Sequence, residues 1–157
     1  MEFGTLKEVI HFAIGQEEAA YDLYKKAADQ SASISARKMF LDMAEEEAAH
    51  KRMLEGFTRQ RLEQYPFRPV QDLKIGDYLV DVPCTPDMTY QQVIIFAMKA
   101  EERAARLYTE AASQVGDPEI RKLLLIMANE DKKHKFHLEA LYDDKVLTED
   151  RWRVGRL

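Results

Sequence analysis

The sequence predicts an all-α protein, a four-helix bundle made of two copies of one helical hairpin joined by a long crossover. Three observations carry that expectation. At 157 residues the chain suits one domain with a single substantial core. It repeats itself at an offset of 84 positions. And each repeated block spaces its apolar residues by three and four, the signature of one helix face.

The repeat is read by laying 9–24 over 93–108. VIHFAIGQEEAAYDLY then matches VIIFAMKAEERAARLY at nine of sixteen positions. Continued without a gap, KMFLDMAEEEAAHKRMLE (38–55) falls on KLLLIMANEDKKHKFHLE (122–139), with nine of eighteen identical. Unrelated helices would not hold one register across both blocks.

The elements follow in order. A first helix is expected near 5–30, opened by a capping box in Thr5-Leu6-Lys7-Glu8, with Ile10, Ile14, Glu17, Tyr21 and Tyr24 along one face. A second is expected near 34–57, capped by Ser33 or Ser35. A third, near 89–114, starts at Thr89-Tyr90-Gln91-Gln92, the same capping device one repeat later. A fourth, near 118–142, starts at Asp117 with Pro118 in its first turn. Short loops make helices one and two antiparallel neighbours, and likewise three and four.

Between the hairpins lies a crossover of about 58–88, with Pro66, Pro69, Gly76, Pro83 and Pro86. A connection that long is unusual in a compact domain. Fully extended, 15–20 residues reach about 50–70 Å, whereas a 24-residue helix is about 36 Å long. The crossover can therefore start the second hairpin at either end of the bundle. Tyr78-Leu79-Val80-Asp81-Val82 reads as a short extended stretch packed on the helices, and Trp152 in the charged tail (about 143–157) as a docking residue.

The totals exclude several classes of function. With 23 basic against 28 acidic residues, nucleic acid and polybasic membrane contact are not expected partners. No apolar run approaches the roughly 20 residues that span a bilayer. Cys84 is the single cysteine, so neither an intrachain disulfide nor a thiolate cluster is available in this sequence. The opening Met1-Glu2-Phe3-Gly4-Thr5 has no secretory pattern, and the expected location is cytoplasmic.

The apolar seams carry acids where none should be. Helix two runs Phe40, Met43, Glu47, His50, Leu54, Phe57; helix three runs Ile94, Met98, Glu101, Ala105, Tyr108. Helix four runs Leu124, Met127, Asp131, His134, Leu138, Leu141, and helix one centres on Glu17. Each seam has a carboxylate at its middle, and two add a histidine three residues on, one turn away on the same face. Isolated charges cost several kcal/mol each to bury, and like charges repel. No lysine or arginine occupies these seams at that level. Two divalent cations would bring four carboxylates near neutrality, and mixed oxygen and imidazole donors suit iron, manganese or zinc.

At these residues the sequence resembles the ferritin-like di-iron carboxylate superfamily, particularly its rubrerythrin and bacterioferritin branches. Their signature is one Glu from each of two helices plus a Glu-x-x-His from each of the other two. Glu47-Ala48-Ala49-His50 matches the second element, while Glu17 and Glu101 match the first, each with a tyrosine seven residues on, Tyr24 and Tyr108. The resemblance implies a ferritin-like bundle with two iron ions held by Glu17, Glu47, His50, Glu101, Asp131 and His134. It also implies reduction of hydrogen peroxide or dioxygen with oxidation of ferrous iron, and self-association, with a dimer favoured.

Two departures qualify it. Asp131-Lys132-Lys133-His134 has Asp for the usual Glu, one methylene shorter, which implies binding through one oxygen only or a less firmly held second metal. Glu130 is a substitute about 100° round the helix, where a solvated side chain is expected. And the cysteine-rich module that feeds electrons to rubrerythrins has no counterpart here, so an external electron donor is expected.

Blander readings stand beside these. Glu18 and Glu102 are the off-seam rivals of Glu17 and Glu101. Tyr24 and Tyr108 serve as carboxylate partners, as a redox relay or simply as core. Met43 and Met127 fill volume; Glu45-Glu46 and Lys132-Lys133 read as solvated faces; His11 and His137 as surface histidines; Cys84 has no assigned chemistry. The rival functions are a non-catalytic iron-binding or delivery protein and a metal-free structural bundle.

Overall fold

The structure, a computed structural model, describes residues 4–143, and among them the secondary structure is entirely helical. The tail beyond 143, with Trp152, lies outside the described residues. Four long helices form the bundle: α1 (Leu6–Gln30), α2 (Ile34–Glu55), α4 (Tyr90–Ser113) and α5 (Pro118–Tyr142). The expected boundaries hold to within two residues. Ser33 rather than Ser35 caps α2, and Asp117 caps α5 by accepting from the amides of Glu119 and Ile120. The capping box at Thr89 is complete. At Thr5 only half of it forms, because the Glu8 carboxylate accepts from Gly4 N–H instead of reaching back to Thr5.

α1 packs on α2 and α4 on α5, as the short loops require, and the hairpins meet through α1 with α5 and α2 with α4. Two apolar clusters form the core. One gathers Tyr24, Phe40, Met88, Ile94, Phe96 and Leu138; the other gathers Val9, Leu54, Tyr108, Ile120, Leu124 and Met127. The late part of α1 thus meets the early part of α4, and α4 runs antiparallel to α1. The crossover must span the bundle, and it does.

In α1 the fully buried face is Val9, Ala13, Glu17 and Tyr24, with Ile10, Ile14 and Tyr21 flanking it rather than forming it. The other three seams lie as expected, with His134 and Leu141 at the rim and Phe57 half-buried just past the end of α2.

The crossover contains a helix that the sequence periodicity does not predict, α3 (Arg59–Gln64), capped by Thr58, with Leu62 its one buried residue and with Arg59 paired to Glu119 of α5. One buried residue in six gives no periodicity to detect. The stretch from Tyr78 to Val82 is extended only in part, since Tyr78 ends a 3-10 turn (Gly76–Tyr78), and it packs through Leu79 and Val82 rather than by strict alternation, with Tyr78 and Val80 facing outward.

Where the crossover passes, the two repeats stop being equivalent. Lys51 and Glu55 are an i,i+4 pair on the surface of α2, whereas their counterparts Lys135 and Glu139 on α5 are buried. Asp72 takes the Lys135 ammonium at 2.9 Å, and Gly76 N–H donates to Glu139 Oε2 at 3.0 Å. Gly76 suits that approach, since a Cβ there would sit 3.1 Å from Met98 Sδ and 3.3 Å from Lys135 Cε, closer than an ordinary contact.

Removing one partner of a buried ion pair strands the other charge. Lys135→Met is therefore expected to lower stability by about 3 kcal/mol, and adding Glu139→Leu to recover most of it. Urea unfolding at unchanged m-value checks both; a single variant as stable as the double would show that the pair does not hold the crossover.

Candidate metal centre

Between the two apolar clusters lies one polar layer. Glu17, Glu47, Glu101 and Asp131 are each 2 % exposed there, with His50 and His134 at its edge. Their placement follows from helix geometry. Each acid sits mid-seam, and Glu47 with His50, or Asp131 with His134, share a face one turn apart.

The six residues form two overlapping groups. Glu17, Glu47, His50 and Asp131 each offer one donor atom, all within 4.8 Å of one another. Glu47, Glu101, Asp131 and His134 do the same. Glu47 and Asp131 are common to both. The arrangement is that of two adjacent cation positions sharing two carboxylates, each completed by one Glu and one His. All six expected residues converge, and Asp131 occupies a shared position, opposite its repeat counterpart Glu47.

The imidazoles are oriented for the same purpose. Their rings stack at 4.9 Å between centroids, 5° from parallel. Nδ1 of each points inward: His50 Nδ1 lies 3.5 Å from Glu17 and 3.7 Å from Glu47, and His134 Nδ1 lies 3.5 Å from Glu101 and 3.8 Å from Glu47. These separations are too long for N–H···O hydrogen bonds. Among the described residues, His50 Nδ1, His134 Nδ1 and Asp131 Oδ2 have no hydrogen-bond partner. Buried polar atoms without partners are rare enough to need a cause, and converging carboxylate and imidazole donors fit a divalent metal pair.

Two tyrosines cross between the halves. Tyr24 donates to Glu101 Oε1 at 3.1 Å, and Tyr108 donates to Glu17 Oε1 at 3.4 Å. Burial, with the adjacent acids, pushes both phenols far up, so each stays a donor. A cavity of about 260 Å³ lies between α1 and α4. Its inner wall is Glu17, Glu47, Glu101, Asp131 and the two tyrosines, and its outer wall is mostly alanine and leucine, including Ala20, Leu23, Ala104 and Leu107.

Outside the layer the off-seam residues take other roles. Glu18 pairs with Lys51, and Glu102 with Lys99 and Arg106. His11 and His137 are exposed. Glu130, expected to be solvated, is not: it faces His50 Nε2 at 3.7 Å and accepts hydrogen bonds from Tyr65 and Lys133. A rotation of about 100° takes it away from the four acids, and the crossover then closes over it. Burial would raise its carboxyl, but Tyr65 and Lys133 hold it below the ordinary range. Its repeat counterpart Glu46 is exposed as expected, yet lies 3.2 Å from His134 Nε2. Sequence reasoning missed both as histidine partners, although the repeat match of Glu46 with Glu130 was visible.

Without metal the layer keeps protons. Burial pushes Glu17 up to about 8, helped by Glu47 and opposed by His50. Burial, with Glu101, Glu17 and Glu47, pushes Asp131 well up. For His50, burial alone would lower the value, but Glu17 and Glu47 outweigh it and raise it to about 10. His134 rises for the same reason, through Glu101.

A family model described as Rubrerythrin matches residues 8–142, which takes in all six residues of the layer. A solved structure of a hypothetical protein from Pyrococcus furiosus is similar at 26% identity, covering 89% of each chain with a TM-score of 0.50. No curated protein matches the chain.

The shifts set a pH dependence for the metal-free protein. His50 contributes stability that is full below its unfolded value of 6.5 and lost as pH rises through about 10. Glu17 holds its proton up to about 8 against an ordinary 4.5, so ionising it costs stability as pH climbs through that window. Both signs agree. The metal-free melting temperature is expected to fall from about pH 5 to about pH 9, and a rise over that range in circular-dichroism melts would contradict the proton assignment.

Proposed function

The chain belongs to the rubrerythrin family, and from that premise we propose that it is a di-iron oxidoreductase that reduces hydrogen peroxide or dioxygen. The observation that carries the reading is the pair of four-residue groups sharing Glu47 and Asp131, with both imidazole Nδ1 atoms aimed inward and unpartnered. A structural bundle without metal has no use for that arrangement.

Glu17 and His50 would hold one ion, Glu101 and His134 the other, and Glu47 and Asp131 both. Bound there, a ferrous pair supplies two electrons, one from each ion; reduction of one hydrogen peroxide to two waters takes those two electrons and two protons. The chain's own residues do the rest. The four carboxylates offset the cation charge, so that loading leaves the layer near neutrality where the acids alone would repel. Tyr24 and Tyr108 fix one oxygen of Glu101 and of Glu17, which orients the other carboxylate oxygen. The cavity between α1 and α4 reaches the acids past alanine and leucine side chains. That lining, which also includes Gln16 and Arg103, suits a small, neutral oxidant, and a more polar cavity between α1 and α2, lined by Glu18, Asp22, Lys51 and Arg52, reaches Glu17 and Glu47 from the other side.

The Asp131 position supports a second reading. Its shorter side chain shares both groups, so a loosely held metal would suit an iron-binding or delivery protein with little turnover. Steady-state consumption of peroxide with a supplied reductant separates the two.

The first test is elemental analysis of the wild type and of Glu47→Gln/Glu101→Gln after anaerobic ferrous loading. About two iron atoms per chain are expected in the wild type and none retained in the variant, whose metal-free form melts higher because two buried acids are gone. A wild type that holds no metal while folded would sink the di-iron reading.

A further inference from the structure

We infer that the metal enters the layer between α1 and α2, through the polar cavity that Glu18, Asp22 and Glu45 rim, and not along the α1–α4 opening that suits the oxidant. The inference rests on the di-iron reading above and adds to it a point of entry. The three rim acids stand outside both four-donor groups, so their part is in uptake and not in holding the ion.

The α1–α2 cavity has a volume of about 470 Å³. Glu17 and Glu47, each 2 % exposed, form its floor, and Glu18, Asp22 and Glu45 are exposed at its rim. Carboxylates therefore stand at both ends of the passage. Behind the floor lies the buried His50 Nδ1, 3.5 Å from Glu17 Oε2 and 3.7 Å from Glu47 Oε2, with no hydrogen-bond partner among the described residues. Glu17, Glu47 and His50 belong to one four-donor group, so a cation that reaches the floor meets the donors that would keep it. A cleft of one charge sign focuses the field and raises the entry rate of a counter-ion by roughly 10- to 1,000-fold. Lys51 crosses the rim, with Nζ 2.9 Å from Glu18 Oε1. At 40 % and 52 % exposure that pair is screened and opens at little cost, so it tempers the field without sealing the passage.

The duplication supplies an internal comparison. The matching groove of the second half lies between α4 and α5, and its cavity of about 330 Å³ is lined by Glu102, Arg106, Lys132 and Lys135, the repeat counterparts of Glu18, Asp22, Ala48 and Lys51. Arg106 for Asp22 and Lys132 for Ala48 turn the groove toward positive charge, and Glu45 is matched by the neutral Asn129. Phe136 for Arg52 is the exchange that runs the other way. The crossover also lies along this groove from Val70 to Asp72, and Asp72 takes the Lys135 ammonium. Of the described residues, Glu101 and Asp131 are not in its wall. The second groove has the same helices around it but neither the charge nor the reach.

The other two openings lack one end of the path. The α1–α4 cavity reaches the acids, but its outer wall of alanine and leucine, with Gln16 and Arg103, offers a hydrated dication no carboxylate to exchange its water for. A cavity of about 200 Å³ between α2 and α5 carries Asp42 and Glu46, yet it meets the layer at His134, whose Nε2 faces Glu46 rather than the interior. Of the four, the α1–α2 cavity is the one that joins exposed carboxylates to inward donors.

The test is stopped-flow loading of the metal-free full chain with cobalt(II), anaerobic and at low salt, read by visible absorption beside an equilibrium isotherm. Asp22→Asn/Glu45→Gln should slow loading about tenfold, and the deficit should shrink to about twofold in roughly 0.5 M salt. Lys51→Met should load faster than the wild type. Ala48→Leu narrows the passage and should slow loading and release alike with the affinity unchanged, because entry and exit share one path. Glu102→Gln/Glu110→Gln removes the same charge from the α4–α5 groove and should change the rate by less than about twofold. Rim variants that load at the wild-type rate, or a control pair that slows loading as much as they do, would overturn the inference. A folded wild type that binds no cobalt would overturn it by a distinct route, since the failure then belongs to the metal reading.

Discussion

Everything else in the structure is arranged around one constraint: four carboxylates and two imidazoles share an interior layer that would otherwise be apolar. Burying that much like charge is prohibitive unless protons or cations offset it. The metal-free layer shows the first solution, with Glu17 and Asp131 pushed up and both histidines raised by the acids beside them. The unpartnered Nδ1 atoms and Asp131 Oδ2 point to the second. Splitting the core into two apolar clusters, one at each end, confines the polar atoms to a single level and keeps water from reaching them along the bundle axis. Charge at that level costs stability, which is why a simple removal of charge is expected to stabilise the metal-free fold.

Duplication explains how such a layer is specified by so few residues. One hairpin carrying Glu, Tyr and Glu-x-x-His, written twice, supplies two nearly equivalent half-sites that complete each other. Each tyrosine bonds the other half's glutamate, and each outer glutamate meets the other half's histidine. Neither hairpin holds a complete site. The crossover then breaks the equivalence, covering Glu130, Lys135 and Glu139 while leaving Glu46, Lys51 and Glu55 at or near the surface. A feature that serves connectivity thus also decides which outer carboxylates are fixed.

What was legible in the sequence was whatever repeats or has a period. The four long helices, their caps and the six converging residues could be read because acids in apolar seams are anomalous and because the anomaly occurs at matching positions in both halves. The first part of the α1 seam was read one position off, since Ile10 and Ile14 are more apolar than Val9 and Ala13, which are the residues that α1 buries. The roles of Glu130, Tyr65, Lys135 and Glu139 were not legible. They depend on where an aperiodic segment lies, and helix rotation alone places Glu130 toward solvent. A buried lysine looks the same in sequence as its exposed repeat counterpart.

The length of the crossover has a further structural consequence. Had a short loop joined the hairpins, α4 would start at the end where α2 stops and run parallel to α1. The crossover instead traverses the bundle, so α4 runs antiparallel to α1 and the two halves are related by an axis perpendicular to the helices. Side chains on a helix lean toward its N-terminus, so a tyrosine two turns beyond a glutamate reaches back to the carboxylate layer. Because α1 and α4 are antiparallel, Tyr24 reaches the layer from one end of the bundle and Tyr108 from the other. Parallel helices would have put both phenols at the same end and left the opposite side of the layer with no donor. The long connection therefore allows one repeated motif to close the layer from both directions, and the residues it lays over α5 on its way are what make the two sides unequal.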